Sequence, residues 1–184
     1  MRGHLFVISG PSGVGKGTLI NEILPRLEDT ALSRSATTRP MRAGEQEGRE
    51  YFFLTPDEFD QRIAHGDFLE YVTYGSNRYG TLRSEVVRQL ESGRNVVLEI
   101  ELEGARNIKQ KMPEAILVFI SPPSVDELRS RLAGRNTEAD AERKVRLERA
   151  EEELASQHEF DYIVVNKAVV QAAEELERLI KSSL

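Results

Sequence analysis

A strand, a glycine-rich turn and a helix follow one another at the start of the chain. Residues 5–18 read Leu-Phe-Val-Ile-Ser-Gly-Pro-Ser-Gly-Val-Gly-Lys-Gly-Thr. The apolar run predicts a buried strand, and the apolar spacing of residues 19–27 predicts a helix. Glycines let the backbone curl so that its N–H groups point at an anion, and the lysine reaches the β- and γ-phosphates. This segment therefore predicts a P-loop that binds a nucleoside triphosphate.

The residues predicted to contact the triphosphate are those of the loop and of the first helical turn. They are Gly10, Pro11, Ser12, Gly13, Val14, Gly15, Lys16, Gly17 and Thr18. The usual motif places Ser or Thr directly after the lysine as a ligand of Mg²⁺. In this chain Gly17 takes that position and Thr18 follows it. We therefore expect Mg²⁺ to be held through water molecules or by Thr18, and both arrangements suit an ion that dehydrates reluctantly.

Composition excludes several other classes of protein. A chain of 184 residues predicts one domain, and its net charge of −6 does not favour nucleic acid or an anionic membrane surface as a partner. The absence of cysteine excludes disulfides and thiolate zinc sites, and it fits a reducing, cytoplasmic location. The apolar run of residues 5–9 is too short for a signal peptide or a membrane span.

Apolar strand-like segments alternate with amphipathic helices along the chain. Strands are predicted at residues 5–9, 95–100, 115–120 and 161–165, and helices at residues 16–27, 82–92, 103–111, 125–133, 137–157 and 169–181. This order predicts an α/β fold with a central parallel sheet flanked by helices. Residues 33–81 interrupt the order and predict short strands around one helix that starts near Thr55. The mixed charges of residues 129–149 are typical of a solvated helix face.

A second pattern, S-x-T-T-R-x-x-R-x-G-E-x-x-G-x-x-Y, resembles that of the guanylate kinases. Its matched positions are Ser35, Thr37, Thr38, Arg39, Arg42, Gly44, Glu45, Gly48 and Tyr51. Further matches lie at residues 68–70, 77–81, 131–135 and 160–166. The resemblance covers essentially the whole chain. It implies a P-loop NTPase fold with a core of residues 1–32, 83–128 and 150–184, an inserted GMP-binding segment of residues 33–82, and a short lid of residues 129–149.

The resemblance also implies an activity. A guanylate kinase transfers the γ-phosphoryl group of ATP to GMP, with Mg²⁺ as cofactor and dGMP as an expected second acceptor. The choice between a monomer and a homodimer stays open. Three alternatives compete with this reading: an inactive binding module of the same build, a kinase for another small molecule, and a GTPase or motor ATPase. The intact P-loop disfavours the first, the residues suited to guanine disfavour the second, and a monophosphate-shaped site disfavours the third.

The GMP-binding residues implied by the resemblance have suitable chemistry. Arg39 and Arg42 offer bidentate forks to the acceptor phosphate, and Tyr51 and Tyr79 offer hydroxyl groups. The carboxylate of Glu70 would accept both guanine donors, N1–H and N2–H₂, whereas adenine has no donor at N1. Hydroxyl contacts to the other side of the base are implied for two further residues, Ser35 and Thr81.

Two acidic residues follow the central apolar strand at residues 95–100. Ligands bind at the carboxyl ends of parallel strands, and residues two apart on a strand share a face. We therefore expect Glu99 and Glu101 to face the ligand together and to belong to the GMP-binding residues. Many relatives have aspartate at both positions, so the division of these carboxylates among guanine, a magnesium-bound water and Lys16 stays open.

Phosphoryl transfer to GMP requires no general base, because a phosphate monoester with a second pKa near 6 is mostly deprotonated at pH 7. Catalysis then depends on positioning and on charge neutralisation by Lys16, Mg²⁺ and arginines such as Arg39. The resemblance implies that Arg135 and Arg146 arrive from the lid to contact the transferring phosphates or the adenine. It also implies an adenine contact for Asn166.

Overall fold

The computed structural model describes residues 2–133 and 140–183, without the side chains of residues 131–146. Its elements in chain order are β1 (Leu5–Ser9), α1 (Lys16–Ile23), β2 (Thr30–Leu32), β3 (Ser35–Thr37), β4 (Phe52–Phe53), α2 (Pro56–Ala64), β5 (Phe68–Tyr74), β6 (Asn77–Leu82), α3 (Arg83–Glu91), β7 (Asn95–Glu99), α4 (Leu102–Lys111), β8 (Ile116–Ser121), α5 (Val125–Ala133), α6 (Asp140–Ala155), β9 (Tyr162–Val165) and α7 (Val169–Ser182). The predicted α/β fold with parallel strands and flanking helices is confirmed. No helix within the described ranges is long and apolar enough to cross a membrane.

Most predicted elements agree with the structure to within a few residues, and the differences have local causes. The helix predicted for residues 16–27 ends at Ile23 and continues as a 3₁₀ turn over Leu24–Arg26. Pro25 has no N–H for an α-helical hydrogen bond, which explains the change. The strand Thr30–Leu32 was not predicted, because three half-buried residues show no clear alternation.

The chain forms two compact units, and the first comprises Asp29–Leu98, Arg106–Ala115 and the N-terminus up to Leu5. In this unit β2 lies parallel to β7, and a separate four-stranded sheet has the order β4-β3-β6-β5. We call the latter the small sheet. Its hairpin of β5 and β6 is antiparallel, and β3 pairs antiparallel with β6.

Helix α2 accounts for the core of the first unit. Thr55 and Glu58 form a capping box at its start, with Pro56 at the first helical position. Phe59 of this helix is fully buried and stacks on Phe68 of the small sheet, with ring centroids 4.4 Å apart. This packing fixes the end of the small sheet that precedes Glu70.

The second unit comprises Phe6–Glu28, Glu99–Ala105 and Ile116–Leu184. Its strands β1, β8 and β9 are parallel and adjacent in that order. Helices α1 and α7 pack on each other through buried apolar faces, which include Leu19 and Leu176. Because parallel strands end at one edge of a sheet, β1 and β9 deliver the P-loop and Asn166 to the same edge.

Candidate active site

The P-loop between β1 and α1 has the backbone that its glycines predict. Gly10 has a φ of 144°, and a Cβ there would lie 2.3 Å from the carbonyl oxygen of Ile120. Gly15 has a φ of 97° and is the N-cap of α1, so no side chain caps the first N–H groups of this helix. The first N–H groups of a helix lack intrahelical partners, so they are available to an anion.

The side chain of Lys16 lies across this loop. It is 9% exposed, and its Nζ donates to the carbonyl oxygen of Gly10 at 2.5 Å and to that of Pro11 at 3.3 Å. The ammonium group is therefore held beside the loop N–H groups by neutral oxygens. A cation in this position strengthens the attraction of the loop for phosphate.

Asn166 contacts the P-loop from the end of β9. It is buried, and its Nδ2 donates to the carbonyl oxygen of Val14 at 2.8 Å. A Cβ on Gly15 would lie 2.8 Å from the same nitrogen, so the glycine is also required by this close approach. The structure thus gives Asn166 a contact with the loop backbone that the sequence did not reveal.

The expectation that Glu99 and Glu101 lie two apart on one strand is wrong, because the strand does not reach Glu101. Strand β7 ends at Glu99, and Glu101 lies beyond it, immediately before α4 begins at Leu102. Both carboxylates lie in the second unit, where the charges of Lys16 and Glu101 act on Glu99.

Glu99 lies next to the position where the loop departs from the usual motif. A Cβ on Gly17 would be 3.4 Å from its Oε2. Desolvation raises the pKa of Glu99 above its ordinary value, Lys16 opposes the shift, and Glu101 adds to it. The carboxylate thus borders the space beside Gly17, where other P-loops carry a hydroxyl side chain.

A further carboxylate, Glu153, was missed by the sequence analysis. It lies on α6 and is 5% exposed. Arg149 joins it to Glu101, with Nη2 3.2 Å from Glu101 Oε2 and Nε 3.6 Å from Glu153 Oε1. Burial and then the charge of Glu101 raise the pKa of Glu153 to about 7, while Lys16 and Arg149 act in the opposite direction.

In the first unit, the small sheet brings together the residues predicted to contact guanine. Thr81 on β6 is the partner of both Ser35 on β3 and Glu70 on β5. Glu70 is 4% exposed, and its Oε1 accepts a hydrogen bond of 2.6 Å from Thr81 Oγ1. Burial raises the pKa of Glu70 above its ordinary value, whereas the hydrogen bonds from Thr81 and the charge of Lys111 lower it.

The residues predicted for the acceptor phosphate also lie close together. The guanidinium carbon of Arg39 is 5.4 Å from the ring centroid of Tyr51, and the rings of Tyr51 and Tyr79 are 6.0 Å apart. The side chain of Arg42 is exposed. This arrangement gathers one cation and two phenol rings on the first unit.

Glu45 holds this cluster and was matched in the sequence motif without a role. Its Oε1 accepts from Arg39 Nη2 at 2.7 Å, and its Oε2 accepts from the backbone N–H of Arg42 at 2.7 Å. These hydrogen bonds hold the pKa of Glu45 below its ordinary value, and the hydrogen bond from Arg39 has the largest effect. The carboxylate therefore fixes both the Arg39 fork and the loop that carries Arg42.

The predicted site residues fall into two groups. Those for GMP on the small sheet and its preceding loop lie in the first unit, and those of the P-loop, with Glu99, Glu101 and Asn166, lie in the second. Arg135 and the side chain of Arg146 lie outside the described residues.

Comparisons by family profile, by sequence and by structure each find guanylate kinases. The family profile described as Guanylate kinase matches residues 2–183. A guanylate kinase of Synechococcus sp. strain CC9902 is 50% identical over 95% of this chain and 94% of that protein. A guanylate kinase of Thermotoga maritima is 44% identical over 99% of this chain and 88% of that protein. The crystal structure of a guanylate kinase from Anaplasma phagocytophilum has a TM-score of 0.77 at 30% identity and covers 99% of this chain and 86% of its own.

Proposed function

The chain belongs to the guanylate kinase family, and from this premise we propose that its first unit binds GMP and its second unit binds ATP. The protein accordingly transfers the γ-phosphoryl group of ATP to GMP. The main support for GMP as the acceptor is the buried Glu70 carboxylate, one of whose oxygens accepts a hydrogen bond from Thr81. An inactive binding module is disfavoured because its P-loop would not need to retain Lys16.

Guanine recognition follows from the chemistry of Glu70. An ionised carboxylate is only an acceptor, and guanine presents two adjacent donors to it. A site built to hydrogen-bond a substrate discriminates strongly against analogues that leave its polar groups unpaired. Thr81 and Ser35 add hydroxyl groups from the neighbouring strands, and dGMP, which has the same base, is proposed as a second acceptor.

The acceptor phosphate is proposed to bind Arg39, Tyr51 and Tyr79, with Arg42 as a further cation. Glu45 accepts a hydrogen bond from Arg39 Nη2 and so fixes the orientation of the guanidinium. The other N–H donors of Arg39 are thereby held in fixed directions. The attacking nucleophile is an oxygen of the GMP phosphate itself. The protein therefore needs to orient this oxygen and does not need to deprotonate it.

The triphosphate is proposed to bind the P-loop backbone and Lys16. As phosphate oxygens arrive, the ammonium group exchanges the neutral carbonyl oxygens of Gly10 and Pro11 for charged acceptors. Charge-assisted hydrogen bonds of this kind are about twice as strong as neutral ones. Lys16 thereby stabilises the negative charge that shifts during the transfer.

The oxygen donors around Gly17 fit a magnesium ion that retains part of its water. Mg²⁺ prefers carboxylate, phosphate and water oxygens, and the Glu99 carboxylate borders Gly17. We propose that Glu99 and Thr18 hold the ion with the phosphates, directly or through water. When bound, the ion supplies charge neutralisation between the β- and γ-phosphates.

Several parts of the proposal rest on the sequence and on the family resemblance and not on contacts in the structure. Arg135 and Arg146 are proposed to bring positive charge to the transferring phosphates from a lid of residues 129–149. A cytoplasmic location is proposed, as is a monomeric or homodimeric state. The GMP-binding segment and the core keep the boundaries that the resemblance implies.

The assignment of Glu70 is tested by replacing it with glutamine. Glu70→Gln keeps the size but turns one acceptor oxygen into an N–H₂ donor that would face a guanine donor. One or two unpaired buried groups cost roughly 1–3 kcal/mol each, and a cost of about 1.4–4 kcal/mol lowers kcat/KM for GMP about 10- to 1000-fold. Activity on AMP should fall less, so that the GMP/AMP ratio narrows.

A coupled assay with ATP and each nucleoside monophosphate measures this ratio. The exposed Glu91, at the end of α3, provides the control Glu91→Gln. An unchanged GMP/AMP ratio in Glu70→Gln would show that this carboxylate does not read the base.

A further inference from the structure

The strand that carries Glu70 is irregular immediately before it. The register of β5 against β6 shifts between Phe68 and Glu70. Phe68, Leu69 and Glu70 are all buried, although successive side chains of a regular strand point to opposite faces. An extra residue in one strand re-aims the side chains that follow it. The orientation of the Glu70 carboxylate therefore depends on this bulge.

Lys111, the last residue of α4, contacts the bulge. Its Nζ donates to the carbonyl oxygen of Phe68 at 3.2 Å. Its positive charge also acts on Glu70 and lowers the pKa of that carboxyl, against the larger effect of burial. One side chain is thus linked both to the backbone that aims Glu70 and to its charge.

We propose that Lys111 is a positioning residue for guanine recognition, which ties down the bulge and keeps the Glu70 carboxylate ionised. The inference rests on the proposed role of Glu70 and adds to it a residue outside the recognised motifs. Lys111 is not proposed to touch GMP. It acts through Glu70 alone.

The ionised state matters because a protonated carboxyl would present a donor to one of the two guanine donors. Burial favours that unwanted neutral form. From β6, Thr81 opposes it with its hydroxyl and its backbone N–H. From α4, the positive charge of Lys111 also opposes it. Removing this charge should leave a larger fraction of Glu70 protonated at low pH.

The same helix offers a matched control. Lys109 also lies in the last turn of α4, but its Nζ donates to the carbonyl oxygen of Ala115 at 2.8 Å. Both lysines can interact favourably with the carboxyl end of the helix dipole. Lys111 acts electrostatically on Glu70, and its Nζ contacts the strand that carries this carboxylate. A difference between the two variants therefore reports on Glu70 and not on the helix.

The experiment compares Lys111→Gln, Lys111→Arg and Lys109→Gln with the unchanged enzyme. Glutamine retains a donor for the Phe68 carbonyl and removes the charge, while arginine retains both. kcat/KM for GMP is measured with saturating ATP at pH 6.0 and pH 8.5, and each variant is expressed relative to the unchanged enzyme. The titration of the GMP phosphate is common to all four proteins and cancels.

Lys111→Gln should lose more activity at pH 6.0 than at pH 8.5, and the extra loss is at most about tenfold for a carboxyl pKa that rises by one unit. Lys109→Gln and Lys111→Arg should show the same relative activity at both pH values. An equal loss for Lys111→Gln at both values, or the same pH effect in Lys111→Arg, would overturn the inference.

Glu70→Gln separates this outcome from failure of the proposed function. If Glu70→Gln leaves the GMP/AMP ratio unchanged, the role of Glu70 itself is refuted. If that ratio narrows while Lys111→Gln follows the control Lys109→Gln, only the role of Lys111 is refuted. Circular dichroism of each variant shows that the compared proteins are folded.

Discussion

Replacing Glu153 with glutamine should stabilise the protein more at pH 8 than at pH 5.5. The carboxyl is buried on α6 and lies beside the like charge of Glu101, so its ionised form is disfavoured. Arg149 and Lys16 offset only part of this cost, which leaves the pKa of Glu153 at about 7. Glutamine has the same size and cannot ionise.

The sign and the size follow from proton linkage. The pKa of a glutamate in the unfolded chain is near 4.5, so the folded state binds more protons between that pH and about 7. Stability then falls as the pH rises through this window. For one group with these two pKa values, the loss between pH 5.5 and pH 8 is about 2 kcal/mol. Glu153→Gln avoids this loss.

Urea unfolding at the two pH values measures the effect. Glu152→Gln is the control, because the neighbouring Glu152 lies on the same helix and is exposed. The difference in unfolding free energy between Glu153→Gln and the unchanged protein should be about 2 kcal/mol larger at pH 8 than at pH 5.5. A change below about 0.5 kcal/mol, the usual limit of additivity, would show that Arg149 and Lys16 fully compensate the ionised carboxylate.

Three further substitutions test the remaining contacts by steady-state kinetics. Lys16→Ala should lower kcat about 100-fold or more while calorimetry shows unchanged GMP binding, and retention of more than about a tenth of the turnover would contradict its role. Glu45→Gln should raise KM for GMP about tenfold through the Arg39 fork and leave KM for ATP unchanged. Asn166→Ala should raise KM for ATP about three- to tenfold, because the Val14 carbonyl loses its donor, and leave KM for GMP unchanged. An equal effect on both substrates in either of the last two variants would indicate a general loss of structure.

The P-loop could be predicted because its signal is local. A buried strand, glycines at positive φ and the start of a helix lie within residues 5–18, and the structure reproduces each of them. The acceptor residues could be recognised only as a family pattern, since their proximity depends on the pairing of β3, β5 and β6. No spacing rule in one sequence shows that Ser35 and Glu70 both lie beside Thr81.

Single side chains with the same local pattern were the hardest to predict. Lys109 and Lys111 both end α4 and would be assigned alike to the helix terminus. The structure separates them, because one contacts the Ala115 carbonyl and the other the Phe68 carbonyl on β5. The distinction depends on which backbone carbonyl lies near each lysine, and this information is absent from the helix itself.

Glu153 differs, because a signal for its burial was present in the sequence. Leu147, Ala150 and Leu154 form the apolar side of α6, and Ala150 packs with Leu128 in a buried cluster. Residues three apart share a helix face, so Glu153 lies on the same side as Ala150. Of the consecutive residues Glu151, Glu152 and Glu153, only the third is buried, as its position on the apolar side of the helix predicts. The mixed charges near this helix suggested that it is solvated on all sides. The position of each charge relative to the apolar side instead decides which carboxylate is buried and pairs with Arg149.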